Sequence, residues 1–303
     1  MTRIAAALSM PHRVPVNVYI RLNTWLWPRI PRRISNTRPM RLYGRLLHRV
    51  ICRHAQRKHF IGTFFLRNRP QLELLRRLIA PQPQDSVLKI AVLGCSIGAD
   101  VYSILFTIRS ARPDIAVNLC AVDKSAEVLN LAKKAVYTAQ TSEHVGASIF
   151  ERVTDSEFRE IFEGDSNGAR VRSWIREGIN WQLGDAGDPD LVRALGPQDI
   201  VVANNFLCHM EQTQAEYWLR NIAGLVRRGG HLCVTGIDLD VRAKVARDLR
   251  WQPVTELINE IHEGDLSLRR DWPYKWWGLE PLDSERNDWH LRYATVFRLN
   301  DIT

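Results

Sequence analysis

Leu88-Lys89-Ile90-Ala91-Val92-Leu93-Gly94-Cys95-Ser96-Ile97-Gly98-Ala99-Asp100 reads as a strand, a glycine turn and the start of a helix. Apart from Lys89 the first six residues are apolar, the pattern of a strand buried on both faces. After the turn, Val101, Ile104, Leu105 and Ile108 recur at helical spacing over residues 100 to about 110. Upstream, Pro81-Gln82-Pro83 breaks a preceding helix. Downstream, a second strand over 116–122 stops at Asp123, and Ser125 is placed to cap a helix from 127 to about 136. Further strands are expected at 179–183, 200–203 and 231–235, with a helix at 213–226 that Gly229-Gly230 would end. A last strand is expected at 293–299. Strands alternating with helices predict an α/β fold with a mainly parallel sheet covered on both faces. Residues 137–178 are polar and irregular and read as an inserted helix and loop.

The chain has 303 residues, 45% hydrophobic and 25% charged, ordinary values for a globular protein. No run approaches the roughly 18 uncharged apolar residues of a spanning helix. Five scattered cysteines, none in a C-x-x-C pair, argue for a reducing compartment and against a disulfide framework or a cysteine zinc site. A cytoplasmic location is expected, with peripheral attachment to a membrane as the alternative.

The net charge of +9 hides an asymmetry. Residues 1–72 hold 14 Arg, one Lys and no acidic residue, a charge of +15; the remainder carries 27 basic and 33 acidic residues, or −6. The sequence therefore divides into a basic helical arm, 1–72, and a mildly acidic α/β body, 73–303. Such an arm is expected to meet something anionic: nucleic acid, a lipid surface, a polyanionic partner or the body itself. Residues 17–31 carry Tyr19, Trp25 and Trp27 among prolines, and 41–58 read as a helix with Leu42, Leu46, Leu47, Val50 and Ile51 on one face. Beside that face Arg41, Arg45, Arg49, Arg53 and Arg57 form a stripe. The stripe is read as the solvated side of a packed helix, or as a docking surface for an acidic protein or anionic membrane. The aromatic and proline punctuation is poor for a cleaved mitochondrial leader. Residues 251–292 hold five of the ten tryptophans, read as core or loop-packing aromatics, with a wall over the ligand edge as the alternative.

Open α/β sheets bind ligands at the carboxyl ends of their strands. Gly94 and Gly98 do not make the G-x-G-x-x-G of a dinucleotide site, and no G-K-[ST] of a P-loop follows. Asp100 would repel a pyrophosphate but suits a cationic amino acid tail. Asp123, at a strand end, suits the two hydroxyls of a ribose. A ligand with one ribose, no phosphate and a cationic amino acid tail has the chemistry of S-adenosylmethionine.

The string from Leu93 through Gly94-Cys95-Ser96-Ile97-Gly98-Ala99-Asp100-Val101-Tyr102-Ser103 to Ile104 resembles the G-C-S-T-G-E-E-P-Y-S-I motif of the CheR-type glutamate O-methyltransferases. Phe64-Phe65 resembles that family's T-x-F-F-R. Ala121-Val122-Asp123, Asp199 to Leu207 and Leu225 to Leu232 resemble its later motifs, so the likeness covers about 60–240. It implies a class I Rossmann-like methyltransferase with a mainly parallel seven-stranded sheet and S-adenosylmethionine as cofactor. It also implies cofactor contacts from Gly94, Ser96 and Gly98 in the turn, Asp100 near the methionine part and Asp123 on the ribose. Asp185 and Ala186 would lie beside the adenine, Asn204 and Asn205 at the fourth strand end, and Thr63 and Arg67 over the cofactor. Gly62 stands in the family's Thr slot, Leu66 in its Arg slot and His209 in place of a tyrosine. These departures bear on the acceptor. No chemotaxis-receptor-type β-subdomain is visible.

A carboxylate acceptor needs no base but does need a cationic clamp, for which Arg67, with Arg69, Arg76, Arg77 and the arm, is available. A hydroxyl acceptor would want a base, and His209 is the candidate. The catalytic expectation is thus His209 and Arg67. The substrate expectation is a carboxylate-bearing protein, peptide or small acid. Asn204-Asn205-Phe206-Leu207 lacks the prolines of an N-P-P-Y tetrad, which demotes nucleic-acid base methylation. An RNA-directed enzyme and a non-catalytic binding module stay as alternatives. No metal is expected, since His48, His54 and His59 have no carboxylate partners in the arm.

Overall fold

The computed structural model describes residues 13–55, 57, 62–141, 148–264 and 266–300, without the side chains of 13–15, 32, 266 and 267. Lys58 and His59 lie outside the described residues. The chain forms two compact units, one of Lys58–Asp265 with Leu282–Thr303, the other of Met1–Arg57 with Leu266–Pro281. The charge-based division at residue 72 falls inside the larger unit, in the helix Arg69–Ile79.

In chain order the strands are β1 (Val87–Leu93), β2 (Ala116–Asp123), β3 (Val136–Tyr137), β4 (Phe162–Glu163), β5 (Ala169–Val171), β6 (Ile179–Leu183), β7 (Gln198–Asn204), β8 (Val226–Thr235), β9 (Gln252–Pro253) and β10 (Val296–Arg298). Seven of them form one sheet in the order β6-β2-β1-β7-β8-β10-β9. The first five in that order are parallel, and β10 runs antiparallel to both β8 and β9. The α/β expectation with a mostly parallel seven-stranded sheet holds.

Successive side chains of a strand point to opposite faces, and here the alternation sorts two cores. Leu88, Ile90 and Val92 of β1, Leu119 and Ala121 of β2, and Ile200 and Val202 of β7 join one core. Leu74 of helix Arg69–Ile79 and Val101, Ile104 and Leu105 of helix Ala99–Ala111 pack there too. Ala91, Leu93, Cys120, Val122, Val201 and Ala203, from the alternate positions, join the other core, with Leu219 and Ile222 of helix Gln212–Ala223. None of the five cysteines forms a disulfide, and all are buried.

Three expectations are corrected. The helix before β8 ends at Gly224 rather than at Gly229-Gly230, which lies within β8. That pair serves the strand: a Cβ on Gly230 would sit 2.8 Å from the Asp199 carbonyl oxygen, beside a register shift between Gln198 and Ile200. Residues 293–295 are not strand, because helix Trp289–Tyr293 ends there and β10 starts at Val296. The inserted segment is more than a helix and loop. Alongside the helix Asp155–Ile161 it holds a three-stranded antiparallel sheet, β3-β5-β4, where no β-subdomain was visible in sequence. Phe65 is fully buried against Tyr137, Phe150 and Phe162 of this segment, with ring centroids 4.8–6.1 Å away.

In the smaller unit, helices Arg13–Leu26 and Arg38–His54 pack through a polar and aromatic seam. Tyr19 Oη donates to Tyr43 Oη (3.1 Å), and Tyr43 Oη donates to Asn23 Oδ1 (2.6 Å). Trp27 stacks on Tyr43 and meets Trp272 edge-on. Gly44 leaves room for Trp272, whose ring would lie 2.3 Å from a Cβ there. The packed line of the second helix is accordingly Gly44, Leu47 and Ile51. Leu42 and Leu46, expected on that face, are exposed instead. The arginine stripe is not wholly solvated either: Arg45 pairs with the buried Glu280 at 3.6 Å. Trp272 and Trp276 belong to this core and Trp251 and Trp289 to the larger unit, which leaves the packing reading of the tryptophan-rich segment standing. Among the described residues no helix is long and apolar enough to cross a membrane.

Candidate active site

Strand β1 has β2 on one side and β7 on the other, so the strand order reverses there. Such a reversal opens a crevice beyond the carboxyl ends of the strands. A cleft of about 260 Å³ occupies this place. Of the residues expected there, Thr63, Arg67, Gly94, Ser96, Asp100, Asp123, Asp185, Ala186, Asn204, Asn205 and His209 all line it.

Gly98 does not. It caps helix Ala99–Ala111 with φ 91°, and a Cβ would come within 3.1–3.2 Å of Ala132, Tyr102 and Trp181. Its smallness and left-handed backbone serve the turn behind the cleft. Gly94 serves the cleft itself, because a Cβ there would meet the Phe206 ring at 2.7 Å.

The Asp123 carboxylate is fixed by two backbone donors. Ser96 N–H donates to Oδ2 (2.9 Å) and Ser125 N–H to Oδ1 (3.0 Å). It thus ties the turn after β1 to the end of β2, and each oxygen keeps a second acceptor position. Ser125 also caps helix Ala126–Lys134 by accepting from Val128 N–H (3.3 Å). Ser96 (φ 50°) and Asn205 (φ 61°), both lining the cleft, hold left-handed backbone, a conformation that costs a non-glycine residue energy and clusters at functional sites.

Asp100 lies in the first turn of its helix. Burial pushes its carboxyl pKa up, and the charge of Arg67 acts in the opposite sense. A desolvated carboxyl beside a cleft favours a cationic ligand. Asp185 is held as a turn, its Oδ1 accepting from Gly187 N–H (2.9 Å). Asn204 is engaged on both sides: Nδ2 donates to Gln71 Oε1 (2.9 Å), and Oδ1 accepts from Thr235 Oγ1 (3.0 Å). Its amide locks the end of β7 to β8 and to helix Arg69–Ile79.

Sequence reasoning missed a wall of the cleft made by Phe206, Met210 and Trp218. Trp218 lies over Gly187, where a Cβ would be 2.2 Å from its ring. The only cue in sequence was a glycine following Asp185-Ala186. Of the four clustered arginines, Arg67 alone lines the cleft. Arg69 is held by Glu157 (2.5 Å), Arg76 by Glu73 (2.7 Å), and Arg77 by Glu73 and Glu256 (2.8 and 2.5 Å).

Residues 62–239 match the family model described as CheR methyltransferase, SAM binding domain. The chain belongs to the CheR methyltransferase family. Its cofactor is S-adenosylmethionine, and the residues present fit that ligand. A desolvated carboxyl suits an ammonium group, a fixed carboxylate at the β2 end suits ribose hydroxyls, and no phosphate cradle is required. Among solved structures, this CheR-family chain is similar to magnesium protoporphyrin IX methyltransferase of Synechocystis PCC 6803 with bound SAM, at 14% identity and TM-score 0.35. That match covers 74% of this chain and 85% of the other. It is also similar to CalS10, an amino pentose methyltransferase of Micromonospora echinaspora, at 14% identity and TM-score 0.33, over 55% of this chain and 50% of that one. The CMeT domain of the citrinin polyketide synthase matches at 17% identity and TM-score 0.35, over 54% of this chain and 33% of that one. The chain thus spans half or less of the last two. No curated protein matches it in sequence.

Proposed function

We propose that this methyltransferase esterifies a carboxylate of a protein, peptide or small acid. The bound cofactor supplies an electrophilic methyl group on a positively charged sulfur. A carboxylate oxygen forms the new O–C bond as the S–C bond breaks and its electron pair returns to sulfur. Two opposite charges are neutralised and no proton moves. What the chain must supply is orientation, water exclusion and a cation to hold the acceptor. The observation that carries the reading is Arg67 lining the same cleft as Asp100 and Asp123. In this reading Arg67 clamps the acceptor, Asp100 takes the ammonium of the cofactor and Asp123 its ribose. Asp185 and Ala186 flank the adenine, and Phe206, Met210 and Trp218 exclude water.

The test exploits the lability of esters. A lysate incubated with the protein and methyl-labelled cofactor should yield label released as methanol by mild alkali. Alkali-stable label would instead mark an ether or N-methyl product and end the carboxylate reading. His209, which lines the cleft, favours a second reading in which a hydroxyl is methylated and the imidazole takes its proton.

The Asp100 assignment has its own pH signature. An ammonium bound against Asp100 favours the ionised carboxyl, so binding expels a proton wherever the raised pKa leaves it protonated. Affinity for S-adenosylhomocysteine should therefore rise with pH through that pKa and level off above it. Calorimetry from about pH 4 to pH 8 should show this slope, and Asp100→Asn should flatten it, since no carboxyl is left to titrate. The same slope in both proteins would remove Asp100 from the site.

A further inference from the structure

Helix Arg13–Leu26 keeps two unlike apolar faces. Tyr19, Ile20 and Asn23, with Trp27 in the turn that follows, pack within the smaller unit. Val18, Leu22, Trp25 and Leu26 point outward, 59%, 53%, 56% and 40% exposed. At 3.6 residues per turn these four fall in an arc about 100° wide that borders the packed side at Tyr19. Ile34, Leu42 and Leu46 of the same unit are also exposed, so among the described residues seven of the thirteen large exposed apolar ones lie between positions 18 and 46. A soluble surface rarely concentrates them so.

Arginines are set among them. Arg21, Arg29, Arg33, Arg38, Arg49 and Arg53 are all exposed, and no acidic residue occurs between 13 and 55. Arg29 lies over the Trp25 ring at 4.1 Å and donates to the Trp25 carbonyl.

We propose that this face docks on the surface of an anionic lipid bilayer. A second copy of the chain would bring arginine against arginine with no carboxylate between them. A nucleic acid would satisfy the arginines and leave Val18, Leu22, Trp25 and Leu26 without an apolar partner. An anionic bilayer meets both needs: acyl chains for the aliphatic arc, and phosphates for the exposed arginines. Trp25 is suited to the boundary between the two. A helix of 14 residues is about 21 Å long, too short to span, so it lies in the plane of the interface. The attachment is independent of the acceptor reading, because the methyl-transfer cleft is lined by other residues.

The experiment is co-sedimentation of the full chain with phosphatidylcholine vesicles, with and without phosphatidylglycerol. Binding is expected only to the anionic vesicles and should weaken at high salt. It should fall roughly tenfold or more in Leu22→Glu, with S-adenosylhomocysteine affinity unchanged. Should Leu22→Glu lose that affinity through misfolding, the double variant Arg21→Gln/Arg29→Gln gives the same readout. The proposal is overturned by equal binding to both vesicle types, by none, or by wild-type binding of the folded variants. It is equally overturned if the chain binds RNA or an acidic protein and not vesicles, or if Leu22→Glu only converts a dimer to a monomer.

Discussion

Replacing Asp123 by Ala should weaken S-adenosylhomocysteine binding by roughly ten- to a hundred-fold while leaving the chain folded. Hydrogen bonds to a charged group contribute about 1.5–3 kcal/mol, and about 1.4 kcal/mol is tenfold in affinity. The carboxylate stands at the end of β2, half-buried at the cleft, so its loss opens no cavity in either core. It does free the N–H groups of Ser96 and Ser125. Part of the loss is therefore expected to come from a looser turn after β1. Asp123→Asn separates the two contributions. Its amide oxygen still accepts one N–H while its NH₂ confronts the other, and it offers a ribose hydroxyl one acceptor fewer. Its affinity should fall between wild type and Asp123→Ala. Calorimetry gives the affinities and urea denaturation checks the fold. Unchanged affinity in a folded Asp123→Ala protein would remove the residue from the site.

The parts legible in sequence share a cause. The second halves of β1, β2 and β7 (90–93, 119–122 and 200–203) are buried on both faces and read as apolar runs, and the residues that follow them must lie at the carboxyl edge of the sheet. The sequence alone therefore places Gly94, Asp123 and Asn204 at that edge. What was illegible depends on partners distant in sequence. Nothing near Leu42 or Leu46 announces that Trp272 will fill the face opened by Gly44 and turn those leucines outward. Arg69 and Arg77 look available until Glu157 and Glu256 arrive from elsewhere in the larger unit. Strands of two or three residues, such as β3 to β5, are too short to show a period. Gln71 is another case: only the fold brings its amide oxygen to Asn204 and makes it a positioning residue at the β7 end.

Arg67→Met should lower the efficiency of methyl transfer to the lysate acceptor by about ten- to a hundred-fold, the scale for losing a charge-assisted hydrogen bond that holds the acceptor carboxylate. Methionine keeps most of the stem and removes only the cation. Cofactor affinity must be measured alongside, because the charge of Arg67 also acts on Asp100. The clamp assignment stands only if transfer falls further than binding of S-adenosylhomocysteine does. His209→Gln is the companion variant. A carboxylate has no proton to give, so with that acceptor the substitution should cost only a few-fold, and the rate should show no imidazole-like limb between about pH 5 and 8. A hydroxyl acceptor reverses both results. Its proton must leave in the transition state, and losing the base would cost about 10²–10⁴-fold and abolish a limb in which rate rises with pH. Alkali-labile product, a crippled Arg67→Met and a nearly intact His209→Gln would together establish the carboxylate. A pH limb that vanishes only in His209→Gln would transfer the assignment to a hydroxyl, with the imidazole as its base.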